Sequence, residues 1–229
     1  MRTIKRVMVI SLVIIIAMSA GITAYGTAGH GRVYCRNIQK EKKIALTFDD
    51  GPHPRFTKQI LDILAEYGVT ATFFIIGVNA ENYPESLKMI MDSGCEIGNH
   101  TYSHIRIDKM SETELEKEIR RCEDVLYTMT GRRPSVFRPP EGRVPKSLLP
   151  ISEKLGYDVV LWSIDTLDWT HNSSENIYTV IRDNLAGGDI ILMHDYVSGS
   201  NTACGALKRL IPELLSEGYK FVTVSELIN

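Results

Sequence analysis

The sequence predicts an α/β fold in which short parallel strands alternate with helices. Short apolar runs rich in β-branched and aromatic residues alternate with segments of about 10–15 residues whose apolar positions recur at helical spacing. The 229-residue chain is 44% apolar and 24% charged, an ordinary globular balance. About six or seven such units favour a distorted, incomplete (β/α) barrel. A doubly wound open sheet is the alternative that the pattern leaves open.

An uncharged, largely apolar run from Val7 to Tyr25 lies ahead of this pattern, and basic residues at positions 2, 5 and 6 precede it. A basic start followed by an apolar stretch is typical of an export signal. The run is close to the length of about 20 residues that spans a bilayer, which favours an uncleaved membrane anchor. Small residues near position 26 keep a cleaved signal peptide as the alternative. We therefore predict an anchor or signal over residues 1–25, a Gly-rich linker over 26–42 and one extracytoplasmic domain over 43–229.

The first half of the domain contains three predicted strands and three predicted helices. Gly68, Gly94 and Gly131 follow the three helices, in the position where glycine commonly ends a helix. Ser111 and Glu114 form a capping-box pattern at the start of the third helix. The strands are Ile44–Phe48, Thr72–Ile76 and Glu96–Gly98, and the helices are Phe56–Tyr67, Pro84–Ser93 and the segment from Ser111 to Gly131.

The second half repeats the alternation of strands and helices. The predicted strands are Val136–Phe137, Val159–Trp162, Asp189–Met193 and Phe221–Val224, and the predicted helices are Pro145–Leu155, Ser174–Leu185 and Thr202–Ser216. Because strands separated by helices pair in parallel, all of them are expected to end at the same edge of the sheet.

The charge balance argues against nucleic-acid binding. Lys and Arg total 26 and Asp and Glu total 28, which gives a formal net charge of −2. The chain has no run of like charges that would form a basic face for a phosphate backbone. We therefore expect neither DNA nor RNA as a partner.

Polar residues follow the predicted strands at the edge where both candidate architectures place their active sites. Asp49 and Asp50 come directly after the first strand and precede a Gly-Pro turn. His100 and His104 follow the third strand with a spacing of four, which would place them on one face of a helix. Two imidazoles with one carboxylate leave coordination positions open, as in a catalytic site for zinc or another divalent metal.

The later strand ends add further candidates. Arg138 and Glu141 follow the fourth strand, and Gly142 would let the backbone approach a ligand. The other candidates are an acidic pair, a histidine past a strand end, and two apolar residues suited to a pocket wall: Asp165, Asp168, His194, Trp169 and Leu192.

Five motifs in this order resemble those of the polysaccharide deacetylases with a NodB homology domain, carbohydrate esterase family 4. The resemblance spans residues 43–227. The motifs are Thr47–Pro52 (TFDDGP), His100–His104 (HTYSH), Arg138–Gly142 (RPPEG), Asp165–Trp169 (DTLDW) and Leu192–His194 (LMH).

The resemblance implies an incomplete barrel and metal-dependent removal of acetyl groups from N-acetylated sugars. It implies that Asp50, His100 and His104 hold the metal, with Zn²⁺ first and Co²⁺ second. Asp49 would be the general base, steered by Arg138. His194 would be the general acid, supported by Asp168 or, as second candidate, Asp165.

One position departs from the family, which usually has an aromatic residue where Glu141 stands. The family uses the backbone N–H at this position as an oxyanion donor, and any residue except proline supplies it. We expect the departure to affect sugar contacts more than the reaction.

The anchor and the resemblance together predict an extracellular polysaccharide substrate, and the GlcNAc or MurNAc units of peptidoglycan are the first candidate. O-deacetylation of xylan or action on chitooligosaccharides is an alternative. Glycoside hydrolysis by paired carboxylates would leave the two histidines unexplained. A non-catalytic wall-binding relative is the remaining alternative.

Overall fold

The computed structural model describes residues 31–197 and 202–229. Nine strands in these ranges belong to one sheet: β1 (Val33–Tyr34), β2 (Lys43–Asp49), β3 (Thr72–Ile75), β4 (Glu96–Asn99), β5 (Val136–Phe137), β6 (Asp158–Val160), β7 (Ile164–Asp165), β8 (Ile190–His194) and β9 (Lys220–Phe221). The strands pair in the order β1-β6-β5-β4-β3-β2-β8-β7, and β9 pairs with the start of β2. All these pairings are parallel.

The strand order identifies the sheet as an incomplete barrel. From β2 to β6 the strands follow one another in sequence order, and β7 and β8 continue the same circuit from the far side of β2. A doubly wound sheet would reverse direction in the middle. The described strands leave the circuit open between β1 and β7. The predicted fold class is thereby confirmed.

Eight α-helices in the described ranges lie between or after these strands: α1 (Phe56–Tyr67), α2 (Gly77–Asn82), α3 (Pro84–Asp92), α4 (Glu112–Thr130), α5 (Leu148–Leu155), α6 (Ser174–Asn184), α7 (Thr202–Ser216) and α8 (Val224–Ile228). Gly68 and Gly131 follow α1 and α4 in the left-handed conformation, as predicted. The predicted capping box of Ser111 and Glu114 is present at the start of α4.

Strand β2 divides its side chains between two environments. Leu46 and Phe48 belong to the main apolar cluster, which includes buried residues of α1 and α7. Ala45 belongs to a separate buried cluster formed with β3, β5, β6 and β8. Because successive side chains of a strand point to opposite faces, Thr47 and Asp49 lie on the same side as Ala45. The alternation therefore directs Asp49 towards the inside of the barrel.

Three of the predicted elements differ from the structure by more than one residue at an end, and the helix Gly77–Asn82 was not predicted. The strand predicted over Phe221–Val224 ends at Phe221, because Thr223 caps α8 through its side chain and forms a capping box with Glu226. Helix α5 begins at Leu148 rather than Pro145. Strand β6 ends at Val160 rather than Trp162.

The predicted linker also contains ordered structure. Within residues 31–42, β1 pairs with β6, and Arg36 Nη2 lies 3.0 Å from Asp189 Oδ1. Two-residue strands are too short to produce a periodic pattern. The predicted anchor lies outside the described residues, and within the described ranges no helix is both long and apolar enough to cross a bilayer.

Candidate active site

The site is built on two neighbouring strands of the barrel. Asp49, the last residue of β2, is paired in register with His194, the last residue of β8. Asp50 follows in the left-handed conformation, with a φ of 74°. This conformation is costly for a residue with a side chain and is typical of functional sites. The chain therefore turns at the strand end in a way that brings two adjacent carboxylates to the same cavity.

A fully buried arginine orients Asp49 from inside the barrel. Arg138 Nη1 donates hydrogen bonds to Asp49 Oδ1 and Thr47 Oγ1, both at 2.7 Å. Arg138 also donates to the carbonyl oxygens of Val160 and Leu161 at 3.3 and 3.0 Å. Burial lowers the pKa of Arg138, and the charge of Asp49 opposes that shift. The guanidinium thus fixes one oxygen of Asp49 and leaves the other available to the cavity.

Asp50, His100 and His104 form a cluster with the spacing of metal ligands. Asp50 Oδ1 lies 3.2 Å from His104 Nε2 and 3.5 Å from His100 Nε2. The ligand atoms of all three lie within 4.8 Å of one another. Two ligands bound at about 2.0–2.1 Å to a tetrahedral ion are about 3.3 Å apart. The cluster therefore matches the size of a zinc site.

Hydrogen bonding around the cluster also fits a metal. His100 Nδ1 donates to the carbonyl oxygen of Arg138 at 2.7 Å, so that in the neutral imidazole the lone pair of Nε2 is directed at Asp50. Asp50 Oδ1 is buried and accepts no hydrogen bond from the described residues. Burial alone raises the pKa of Asp50, but the nearby His100, His104 and His194 outweigh it and hold the pKa at about 2. An ionised, unpartnered oxygen beside two imidazoles is what a cation requires.

The two histidines do not share a helix, which corrects the reasoning from their spacing. Residues 100–106 form an irregular loop, and Thr101 and His104 have φ values of 66° and 54°. The backbone N–H of His104 donates to Thr101 Oγ1 at 3.1 Å. A tight loop, rather than a helical turn, brings the rings to a centroid distance of 4.9 Å.

His194 is held by Asp168 through both its ring and its backbone. His194 Nδ1 donates to Asp168 Oδ1 at 2.7 Å, and the backbone N–H of His194 donates to Asp168 Oδ2 at 2.8 Å. Burial alone lowers the pKa of His194, but the bond to Asp168 and the charges of Asp168, Asp49 and Asp50 raise it to about 9. The ring is therefore protonated at neutral pH and is able to donate a proton.

The two acidic candidates for supporting His194 make different contacts. Asp165 Oδ1 accepts the backbone N–H of Leu167 at 2.9 Å and so closes its own turn. Asp165 lines the cavity, but it is Asp168 that contacts the histidine.

Gly142 has a different use from the predicted approach to a ligand. A Cβ at this position would lie 2.8 Å from the ring of Trp162, and Gly142 is absent from the cavity lining. The missing side chain therefore makes room for the tryptophan.

The cavity above these groups has a volume of about 460 Å³, within the range of about 300–1,000 Å³ for small-molecule sites. Trp169, Leu192 and Glu141 form part of its wall. The side chain of Glu141 accepts a hydrogen bond from Arg143 Nε at 2.7 Å. Trp162 also lines the cavity, although the sequence pattern did not single it out.

Two further contributors to the site were missed. Phe74 supports the Arg138 guanidinium at 4.1 Å from its ring centroid, and Thr47 accepts a hydrogen bond from the same group. Thr47 could have been found from its strand alternation with Asp49. The position of Phe74 has no comparable signal in the sequence.

Comparison with known proteins identifies relatives that match more than four fifths of the chain. A family model described as polysaccharide deacetylase matches residues 36–160. A peptidoglycan-N-acetylglucosamine deacetylase of Bacillus cereus is 40% identical over 191 residues, which cover 82% of this chain and 89% of that protein. The peptidoglycan-N-acetylmuramic acid deacetylase PdaC of Bacillus subtilis is 38% identical over 187 residues, which cover 82% of this chain and 39% of PdaC.

Solved structures give the same result. The crystal structure of the Bc1960 peptidoglycan N-acetylglucosamine deacetylase superposes with a TM-score of 0.82 at 37% sequence identity. The match covers 85% of this chain and 91% of the Bc1960 chain. Family model, sequence identity and fold agree, and the chain therefore belongs to the polysaccharide deacetylase family, a family of hydrolytic enzymes.

Proposed function

We propose that this enzyme removes N-acetyl groups from the amino sugars of peptidoglycan and uses a divalent metal held by Asp50, His100 and His104. The observation that carries the proposal is one cavity lined by this cluster, by Asp49 and by His194. Zn²⁺ is the metal that the donor set favours, with Co²⁺ as the alternative. When bound, the metal would polarise the acetyl carbonyl and lower the pKa of water.

Asp49 is the proposed general base. Its Oδ1 is occupied by Arg138, and its Oδ2 lies 3.8 Å from His100 Nε2 at the floor of the cavity. A carboxylate fixed in this way accepts a proton from the attacking water without first reorienting. Arg138 is a positioning residue in this scheme, because it is buried beneath Asp49.

His194 is the proposed general acid. Asp168 holds Nδ1, so that the protonated Nε2 is the position from which a proton reaches the amine leaving group. An amine leaves poorly unless it is protonated, and a positioned acid contributes about 10²–10⁴ in rate. The pKa of about 9 supports this role at neutral pH.

Glu141 is the proposed oxyanion donor through its backbone N–H. It lies in a turn with φ 56° and ψ 18°, and Arg143 holds its side chain by a hydrogen bond. Loss of one such donor typically costs about 10²–10³ in rate. The carboxylate of Glu141, together with the indoles of Trp162 and Trp169, would then influence which glycan is accepted.

Peptidoglycan is favoured as the substrate by the relatives, whose names give peptidoglycan GlcNAc and MurNAc deacetylation. The basic and apolar start of the chain supports action outside the cytoplasm, on a membrane anchor or after secretion. Glycoside hydrolysis is disfavoured, because Asp49 is bound by Arg138 and Asp168 is buried behind His194.

The proposal is tested by measuring acetate release from peptidoglycan and from N-acetylglucosamine oligomers before and after chelation. We expect release to disappear with chelator and to return with Zn²⁺ or Co²⁺. Acetylated xylan serves as the comparison for ester cleavage. Release that is unaffected by thorough chelation would contradict the metal assignment, and the absence of release from every amino-sugar polymer would contradict the proposed function.

A further inference from the structure

The loops beside the site carry a cluster of four rings that the proposed chemistry does not use. His53 contacts Phe56 at a centroid distance of 4.6 Å and Tyr196 at 4.9 Å, with interplanar angles of 20° and 18°. Tyr83 lies 6.1 Å from His53. Phe56 is buried, whereas Tyr83 and Tyr196 are 37% and 44% exposed. We call these four residues the aromatic platform.

The platform stands next to the catalytic groups because of the strand register. Asp49 and His194 end neighbouring strands at the same level. His53 follows Asp49 by four residues, and Tyr196 follows His194 by two. None of the four platform residues lines the catalytic cavity. The platform is therefore separate from the cavity lining, and two of its residues, His53 and Tyr196, follow the cavity-lining Asp50 and His194 by three and two positions.

Polar contacts hold the platform in place. The backbone N–H of His53 donates to Thr57 Oγ1 at 2.7 Å, and the Thr57 hydroxyl donates to the buried carboxylate of Asp195. The backbone N–H of Asp195 donates to the carbonyl oxygen of Asp49 at 3.2 Å. These bonds tie the loop after β2 to the loop after β8. Tyr196, which follows Asp195 in the second of these loops, is thus attached to a fixed base.

The chemistry of the platform selects a neutral ligand with an apolar face. His53 Nδ1 accepts the backbone N–H groups of Arg55 and Phe56, both at 3.2 Å, which places the ring proton on Nε2. Burial and the nearby Arg55 lower the pKa of His53, so the imidazole is uncharged at neutral pH. Exposed aromatic faces beside a site mark a binding surface. Pyranose rings present C–H groups on one face and hydroxyls at the edge, which matches rings that carry polar tips.

We propose that the aromatic platform binds a sugar ring of the glycan adjacent to the ring that is deacetylated. The inference rests on the proposed function and extends it to the length of glycan recognised. The exposed face of Tyr196 supplies the main contact, and Tyr83 with the His53 edge supplies the rest. A glycan too short to extend from the cavity to the platform makes no contact with it, so the platform does not strengthen its binding.

The test compares Tyr196→Ala with the wild type on N-acetylglucosamine oligomers of increasing length. We expect kcat/KM on the pentamer to fall about five- to tenfold, mainly through KM, and kcat/KM on the shortest oligomer accepted to be unchanged. Tyr196→Phe should retain most of the pentamer activity, because the ring remains. Tyr127→Ala is the matched control, since Tyr127 is 47% exposed but lies on α4.

A binding measurement separates this inference from the proposed function. Calorimetric titration of the pentamer should give weaker binding to Tyr196→Ala than to either the wild type or Tyr127→Ala, whether or not acetate is released. Equal binding of the pentamer by the wild type and both variants would overturn the proposal that the platform binds a sugar ring. An equal loss of activity by Tyr196→Ala at every oligomer length would overturn it as well. A wild type that binds the pentamer through Tyr196 without releasing acetate would overturn the proposed function alone.

Discussion

Arg138 shows how much of the site depends on one buried side chain. Its guanidinium contacts Asp49 and Thr47 from β2 and two carbonyl oxygens at the end of β6, and its own carbonyl oxygen orients His100. A residue in this position couples the proposed base to the proposed metal site. Removing one partner of a buried ion pair typically costs about 3–5 kcal/mol, so substitutions here would affect folding as well as catalysis.

Substitutions at Asp49 and His104 should separate the proposed base from the metal site. Asp49→Asn should reduce acetate release by about 10²–10⁴, because the base is lost. Its metal content should not change, since Asp50 and the two histidines remain. His104→Ala should lose metal and activity together. Elemental analysis of the purified variants alongside acetate release measures both, and near-normal turnover by Asp49→Asn would show that the base lies elsewhere.

Asp168→Asn should change the pH dependence of the reaction. In the wild type, activity should fall as pH rises through the His194 pKa of about 9, because the acid loses its proton. Without the Asp168 carboxylate, the pH at which activity falls should be lower, closer to the usual histidine pKa of about 6.5. The amide would also present a donor to Nδ1 and favour the wrong tautomer, as when a catalytic aspartate is replaced by asparagine.

The matched control for this variant is Asp165→Asn, since Asp165 lines the cavity but bonds to Leu167. Profiles of kcat against pH, recorded for both variants with the metal-loaded protein, distinguish the two acids. If kcat of Asp168→Asn falls at the same alkaline pH as kcat of the wild type, Asp168 does not have the proposed role.

At the scale of elements, helix boundaries were predicted best. Glycines that end helices and a serine that begins one act through local backbone geometry, which a sequence shows directly. The short strands β1 and β7 were missed, because pairing with distant strands forms them. The three residues of the proposed metal cluster were named from strand ends, although the loop around His104 was predicted as helix. Left-handed residues in that loop override the helical spacing.

Ser111→Ala should destabilise α4 without affecting catalysis. Ser111 Oγ accepts the backbone N–H of Glu114 at 3.3 Å, and the Glu114 carboxylate accepts the backbone N–H of Ser111 at 2.8 Å. Loss of an N-cap typically costs about 1 kcal/mol, which lowers Tm by about 2–4 °C in a domain of this size. Thermal unfolding and acetate release measure the two effects. Ser111→Thr should restore the cap, and an unchanged Tm for Ser111→Ala would contradict the argument.

For the whole molecule, the sequence predicted the barrel class but not the packing of residues 31–42 against it. The alternation of strands with helices and the polar residues that follow the strands are local patterns in the sequence. They extend over residues 43–227. The packing of residues 31–42 on the barrel depends on partners more than a hundred positions away, such as Asp189 for Arg36. The spacing of apolar residues in the sequence does not reveal such contacts. The buried position of Arg138 was likewise beyond local reasoning, since a charged residue is rarely fully buried.

A protein that begins at Lys43 should therefore be less stable than one that begins at Gly31. The shorter protein lacks β1 and the ion pair between Arg36 and the buried Asp189. Asp189 would keep its bonds from Ser163 and Ala186, so we expect a cost of about 1–3 kcal/mol rather than complete unfolding. Thermal unfolding of the two proteins measures the difference. Arg36→Ala in the longer protein measures the contribution of the ion pair separately from that of β1. Equal Tm values for the proteins that begin at Gly31 and at Lys43 would place the domain boundary at Lys43.

The position of β2 between β3 and β8 has a consequence for the order in which the molecule is made. Thr47 Oγ1 donates to the carbonyl oxygen of Ile191, 144 residues further along the chain. As the ribosome extends the polypeptide, one edge of β2 has no partner until nearly the whole chain has emerged. An unpaired apolar edge invites association with other chains. His194 is the last residue of β8. An incomplete polypeptide that ends before β8 therefore lacks both the pairing of β2 with β8 and the proposed general acid.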